Sequence, residues 1–187
     1  MKNFEEIKTE FIQRCKAALA CQPEFKRVLA SATFAELLQV IKDNIHWSIN
    51  EGKVINSKEL EEWFTRDLCK EFDIYFEGHN IVKDKNSIHF NSSTSEHYGS
   101  STSKHYGSST SEHYGSSTSK HYGSSTSEHF NSSTSKHYGS STSEHYGSST
   151  SYSTSERQVI NDNAIRRDIY SNRIYIKKSA SEIIYIN

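Results

Sequence analysis

Between Asn91 and Tyr146 the chain repeats one octad seven times, N/G-S-S-T-S-E/K-H-Y/F, without an insertion or deletion. A short fixed period means that each unit can bury its face only against neighbours of its own kind. One Gly or Asn per octad is what a turn with positive φ needs. The pattern therefore predicts a regular stack of short β-strands. Disorder is the competing expectation for a segment so rich in Ser. Against it stand the strict register, the aromatic residue in every octad and the apolar segments on both flanks.

Strand alternation assigns the side chains to faces. In Gly99–Tyr106, Ser101, Ser103 and His105 share one face, while Thr102, Lys104 and Tyr106 share the other. Charges cannot line a tight interior, so the Ser, Ser, His face is expected inward. Small inward residues imply thin layers, hence a flattened β-solenoid with two octads, or 16 residues, per coil. The charged position alternates as Glu96, Lys104, Glu112, Lys120, Glu128, Lys136, Glu144. A two-octad coil therefore stacks Glu on Glu and Lys on Lys, at about 1 kcal/mol of repulsion per pair about 5 Å apart in water-like dielectric. A coil of three octads or an antiparallel meander would put Glu beside Lys instead. Both stay open at this point.

No Val, Leu, Ile, Met, Ala or Trp occurs between Asn91 and Ser151. A conventional core can come only from the first 90 residues and the tail. Asn3 with Glu6, Thr33 with Glu36 and Asn56 with Glu59 have the form of capping boxes. Each precedes apolar residues at helical spacing: Phe4, Ile7, Phe11 and Cys15; then Phe34, Leu37, Leu38, Ile41 and Ile45, stopping before Gly52; then Leu60, Trp63, Phe64 and Leu68. Pro23 suits the first turn of a shorter helix through Phe25, Val28 and Leu29. From Phe72 the period changes, and Ile74–Phe76, Ile81–Val82 and Ile88 with Phe90 read as short strands leading into the array. Arg173–Lys177 and Ile183–Ile186 read as strands that close its open end. The expected fold is α+β: a small helical bundle over 1–78, an octapeptide-repeat β-solenoid over 79–155 and a β cap over 156–187.

Lys+Arg 22 against Asp+Glu 23 leaves no electrostatic footprint for nucleic acid or an anionic membrane, and neither is expected as a partner. The start MKNFEEIKTEF is acidic and amphipathic, unlike a secretory signal. With an odd cysteine count (Cys15, Cys21, Cys69, each read as a core residue), a cytoplasmic protein with reduced thiols is expected.

The opening F-E-E-I-K-x-E-F-I, followed by A-C-x-x-x-F-K-R-V-L-A and L-x-x-V-I-K-D-N, resembles an uncharacterised group of gut-bacterial and phage-associated proteins. Their helical start precedes octads of the form S-A-T-V-x-A-Y-G with x alternately acidic and basic. The tail Asn161-Asp162-Asn163-Ala164-Ile165-Arg166, then Asn172-Arg173-Ile174-Tyr175, is similar to their closing segment. The likeness covers nearly the whole chain and implies inward Ala, Val and Ala where this chain has Ser, Ser and His. It implies a fold and no mechanism. A slighter likeness, to the 16-residue repeats of bacterial ice-nucleation proteins, rests on Tyr-Gly-Ser and Thr.

Two columns carry what chemistry there is. His97, His105, His113, His121, His129, His137 and His145 recur every eighth residue, with His89 at the entrance. Such a ladder could bind Zn²⁺ or sense pH. A periodic column gives no closed tetrahedron, which favours a neutral, hydrogen-bonded ladder with depressed pKa values. Tyr98, Tyr106, Tyr114, Tyr122, Tyr138 and Tyr146 could stack bases or sugars or pair two solenoids, or simply stack on each other at a corner. The Thr columns suggest ice, but each octad sets a charge beside them. No G-x-S-x-G elbow or placed base accompanies the serines. Hence no catalytic residue, metal or cofactor is assigned. A structural or interaction protein is expected, with an unidentified protein or a second copy as partner; a binding module for polysaccharide or ice is the alternative.

Overall fold

The computed structural model describes residues 2–153, 158–171, 173–179 and 182–186. Two compact units divide after Asp73. The end of the degraded octad at Thr154, the 155/156 boundary and Asn172 lie outside the described residues.

The first unit is helical. Helix α1, Phe4–Ala17, starts from a reciprocal capping box: Asn3 N–H donates to Glu6 at 2.8 Å and Glu6 N–H to Asn3 Oδ1 at 3.0 Å. Helix α2, Gln22–Ala30, carries Pro23 in its first turn, where a missing N–H costs nothing. Helix α3, Phe34–Asp43, is capped by the Thr33 hydroxyl, but Glu36 reaches past Thr33 to accept from Ala32 N–H. A π-turn over Trp47–Glu51 then ends at Gly52, whose N–H donates to Trp47 C=O. The sequence predicts one helix from Asn56 through Leu68, and the structure breaks it. Helix α4 spans Ser57–Trp63 and helix α5 spans Arg66–Glu71, because the Thr65 side chain accepts from Leu68 N–H and starts a new helix. Ile7, Phe11, Leu37, Leu38, Ile41, Ile45, Leu60 and Trp63 form the core. Cys15 and Cys69 lie in it; Cys21, expected there too, is exposed at the α2 N-cap.

The second unit is the solenoid, and its strands alternate between two sheets. Strands β1 (Ile74–Tyr75), β3 (Asn86–His89), β5 (Thr102–His105), β7 (Thr118–His121), β9 (Thr134–His137) and β11 (Thr150–Ser153) line one sheet. Strands β2 (His79–Lys83), β4 (Thr94–Tyr98), β6 (Thr110–His113), β8 (Thr126–His129) and β10 (Thr142–His145) line the other. All these neighbours are parallel. Thr102 pairs with Thr118 and Glu96 with Glu112, so the coil holds 16 residues, which removes the three-octad coil and the meander. The coil tightens at both ends: His79 pairs with Thr94 and Ser143 with Gln158, fifteen residues apart.

Each turn places one residue in the left-handed region. Gly fills it in most octads, and Asn91 and Asn131 do so at φ 54° and 57°. The turns stack: a Cβ added at Gly115 would lie 3.2 Å from Gly99 C=O. At the two ends of this column stand Asp84 and Asp162, also at positive φ. Their carboxylates accept from the next turn's amides, Ser100 N–H at 2.8 Å and Gly147 N–H at 3.1 Å.

The tail departs from a simple lid. Strand β12 (Gln158–Ile160) continues the second sheet and β13 (Ile165–Asp168) the first, adding one more coil. Strands β14 (Ile174–Ser179) and β15 (Glu182–Ile186) then pair antiparallel on β13. Reversing the strand direction ends the parallel coil on that sheet.

Candidate functional site

The interior of the array holds no aliphatic side chain. Ser and His alternate inward along every strand from β4 to β10, and the eight histidines from His89 to His145 are all buried. They form two columns. His89, His105, His121 and His137 stack face to face in one sheet; His97, His113, His129 and His145 stack in the other, with centroids 4.6–4.8 Å apart within a column. Across the coil the two columns meet edge to face, at 5.1 Å for His89 and His97 and 5.9 Å for His137 and His145. Apolar side chains close the second column: Val82 is in register with His97, and Ile160 with His145. Tyr75 stacks on His89 at the start of the first.

Both nitrogens of each ring look toward serine. Nε2 lies 2.8–3.0 Å from the Ser hydroxyl two residues earlier, from Ser87 at His89 to Ser143 at His145. Nδ1 faces the Ser four residues later. The bond is made at 3.2 Å for His137 with Ser141 and His145 with Ser149, and at 3.4 Å for His105 with Ser109 and His129 with Ser133. In the other four such pairs, both partners are unmet: Nδ1 of His89, His97, His113 and His121, and Oγ of Ser93, Ser101, Ser117 and Ser125. Two hydroxyls, each able to donate or accept, can serve a neutral imidazole or an imidazolium, so it is burial and not the hydrogen-bond inventory that disfavours the charged ring. Burial holds the His97, His137 and His145 pKa values down at about 3. Burial first, and neighbouring imidazoles second, hold the other five well below the usual value. The second serine of each ring, at i+4, was not anticipated from sequence; the constant Ser at the third octad position was its signal.

Three overlapping trios, His89/His97/His105, His105/His113/His121 and His121/His129/His137, bring their nitrogens within 4.8 Å of one another. Tetrahedral zinc sets its ligand nitrogens about 3.3 Å apart. Coordination would require the rungs to close and a charge to enter an interior lined by Ser and His.

The tyrosines resolve into two corner columns. Tyr98, Tyr114, Phe130 and Tyr146 stack in one and Phe90, Tyr106, Tyr122 and Tyr138 in the other, 4.9–5.2 Å apart. The ring faces are covered by one another, so only edges are open to a ligand. In the first column Tyr98, Tyr114 and Tyr146 donate their hydroxyls to Glu96, Glu112 and Glu144. The hydrogen bond to Glu144 leads the causes that push the Tyr146 hydroxyl up to about 12. Phe130 has no hydroxyl, so Glu128 lacks this donor, and burial together with Glu112 and Glu144 raises its carboxyl pKa. The Tyr106 hydroxyl is buried without a partner.

The outer faces are of opposite sign. Glu96, Glu112, Glu128 and Glu144 stand in register on one sheet; Lys104, Lys120 and Lys136 stand in register on the other. Burial and the neighbouring Lys120 lower the Lys104 pKa. Thr hydroxyls run alongside and bond one another between coils, at 3.1 Å for Thr102 and Thr118. In the helical unit a largely apolar cavity of about 220 Å³ lies among Phe11, Cys15, Phe25, Val28, Val40 and Trp47, with Glu24 and Asn44 also in its lining. Among the described residues no helix is long and apolar enough to cross a membrane. No protein-family model, curated protein or solved structure matches the chain.

Proposed function

We propose that the protein is a non-enzymatic structural and interaction protein, in which the helical unit carries a solenoid with two unlike docking faces. The observation that carries this reading is the single charge sign at successive rungs of each outer face, Glu on one sheet and Lys on the other. Like charges stacked at coil spacing oppose folding slightly, so the pattern answers to something outside the coil. A cytoplasmic setting belongs to the same reading and draws on three free thiols. So does kinship with the octapeptide-repeat group that the two ends resemble, from whose pattern this chain departs by carrying Ser, Ser and His at the Ala, Val and Ala positions. The test is retention of proteins from a lysate on immobilised full-length chain, against the Glu112→Gln/Glu128→Gln and Lys120→Gln/Lys136→Gln variants. The reading expects the retained set to change with each face. A set indifferent to both variants removes it.

The threonine rows keep a second reading alive, a module for a repetitive ligand such as polysaccharide or ice. Their alignment at coil spacing favours it. Inhibition of ice recrystallisation, or retention on a polysaccharide matrix, that survives neutralising both charge ladders would decide for it.

A further inference from the structure

The two charged faces fit each other. On one sheet the outward row reads Ile81, Glu96, Glu112, Glu128, Glu144, Val159, each in register with the next. On the opposite sheet it reads Lys104, Lys120, Lys136, Tyr152, Arg167. Four anions therefore face one way and four cations the other. Because both rows belong to the same coils, they climb with one common spacing, that of neighbouring parallel strands. A ladder of one sign repels itself along its length, and the shifts at Glu128 and Lys104 have neighbours of like charge among their causes. Setting the opposite ladder against it, rung to rung, relieves both at once. A partner with one matching charge would relieve one rung; the opposite row, with Lys104, Lys120 and Lys136 on consecutive rungs ahead of Tyr152, relieves three of the four at once. Among the described residues, the surface that has this spacing and the opposite sign is the other face of this solenoid.

We propose that the acidic face of one copy docks on the basic face of a second copy, side by side. The inference rests on the reading of the array as a docking surface and names the partner. The contact is heterologous: the acidic patch of one copy meets the basic patch of the next, so each pair leaves one free face of each sign and the association continues as an open lateral stack. At each end of the acidic row stands an exposed apolar side chain, Ile81 at 68 % and Val159 at 50 % exposure, which such a stack would cover. Six strands at about 4.8 Å and four residues at about 3.3 Å give a face of about 400 Å². Two such faces bury about 800 Å², the range of weak contacts. Association is therefore concentration-dependent and, being electrostatic, sensitive to salt.

The experiment is sedimentation velocity on the full chain at high concentration, in low salt and in about 0.5 M salt, where the Debye length is about 4 Å. The expected result is a weight-average mass at least about twice the monomer in low salt, returning to monomer in high salt. Two variants identify the faces, one with Glu96, Glu112, Glu128 and Glu144 changed to Gln, the other with Lys104, Lys120 and Lys136 changed to Gln. Each alone should stay monomeric, because each has lost one of the two complementary faces. Mixed in equal amounts they should form a dimer that does not grow, the basic face of the first on the acidic face of the second. Circular dichroism establishes that both variants are folded; if either is not, the salt dependence of the unaltered chain still decides. A monodisperse unaltered chain in low salt overturns the inference and leaves each face to a partner of another kind. Association that persists in both variants overturns it as well. In either case the retention test on the single faces still stands or fails by itself.

Discussion

The helical unit and the solenoid bury their side chains by opposite means. In the helical unit the buried residues are Leu, Ile, Phe and Trp; in the array they are Ser and His. The first gains stability from transferring hydrocarbon out of water, about 1.5–3 kcal/mol for each large side chain. The second has almost no hydrocarbon to transfer. Its gains are backbone ladders, stacked rings and hydroxyl–imidazole bonds, each modest in net worth at about 0.5–1.5 kcal/mol. Repetition makes that sufficient, since every coil repeats the same small terms against both neighbours. The difference also creates a vulnerability that the helical unit lacks. An aliphatic core does not care about pH; an interior of neutral imidazoles does.

The chain labels the two regions for the experimenter. Trp47 and Trp63 both lie in the helical unit, and all 11 tyrosines lie from Tyr75 onward. Tryptophan emission thus follows one unit and tyrosine near-ultraviolet dichroism the other. The largest expected contrast is acid. Eight buried histidines have folded pKa values depressed by burial, to about 3 at His97, His137 and His145. Below the unfolded value of about 6.5 the unfolded chain binds protons that the folded chain refuses, so stability is full above that value and falls with pH toward the folded values. Each histidine contributes a slope of about 1.4 kcal/mol per pH unit, and eight give about 11, comparable with the whole stability of a domain. The tyrosine signal should collapse between about pH 6.5 and 5, while tryptophan emission holds. A tyrosine signal that is flat across that window would mean that the imidazoles are not buried.

The next contrast is a deletion in the hydrocarbon core. Leu38→Ala removes a fully buried side chain and should cost about 2–5 kcal/mol in the tryptophan-reported transition. The tyrosine-reported transition should not move. Equal shifts in both would show that the two units unfold as one.

How far the sequence foretells this molecule follows the same divide. In the array, local pattern and structure coincide, because each octad sees only copies of itself. Period two gives the inward Ser, Ser and His, the Gly or Asn gives the turn, and thinness gives the 16-residue coil. In the helical unit, local signals compete. Leu60, Trp63, Phe64 and Leu68 keep helical spacing across a real break, and only the Thr65 hydroxyl on Leu68 N–H marks it. Cys21 carries no local sign of exposure, since it depends on which face of its neighbourhood the rest of the unit covers. The fifteen-residue coils at the ends and the antiparallel β14–β15 hairpin arise where the repeat lapses and no neighbour of like sequence dictates the register. At the site, the two His columns and two Tyr corners follow from the coil. The second serine contact, made by His105, His129, His137 and His145, is not legible in the sequence, because it joins an i−2 contact to an i+4 contact around a turn.

The smallest expected effect is the most discriminating, because it concerns two serines of one octad that look alike in sequence. Ser119 Oγ lies 2.9 Å from His121 Nε2, and His121 Nδ1 is unmet. Ser119→Ala leaves both nitrogens of a buried ring without a hydroxyl, and a buried polar group stripped of its partner costs about 1–3 kcal/mol. Ser117, two residues earlier and equally buried, has an unmet hydroxyl of its own. Ser117→Ala removes a desolvated group that gains nothing from folding, and should stabilise the array by up to about 1 kcal/mol. Both substitutions delete one oxygen from the same interior, so packing changes almost equally, and hydrogen bonding alone separates them. Denaturant midpoints read from the tyrosine signal should move in opposite directions. If both fall together, the Ser117 hydroxyl is bonded to His113 Nδ1 in solution as its counterparts Ser109 and Ser133 are to their histidines. If both rise, the array prefers an interior without serine, and its hydroxyl–imidazole ladder is not what holds the coils together.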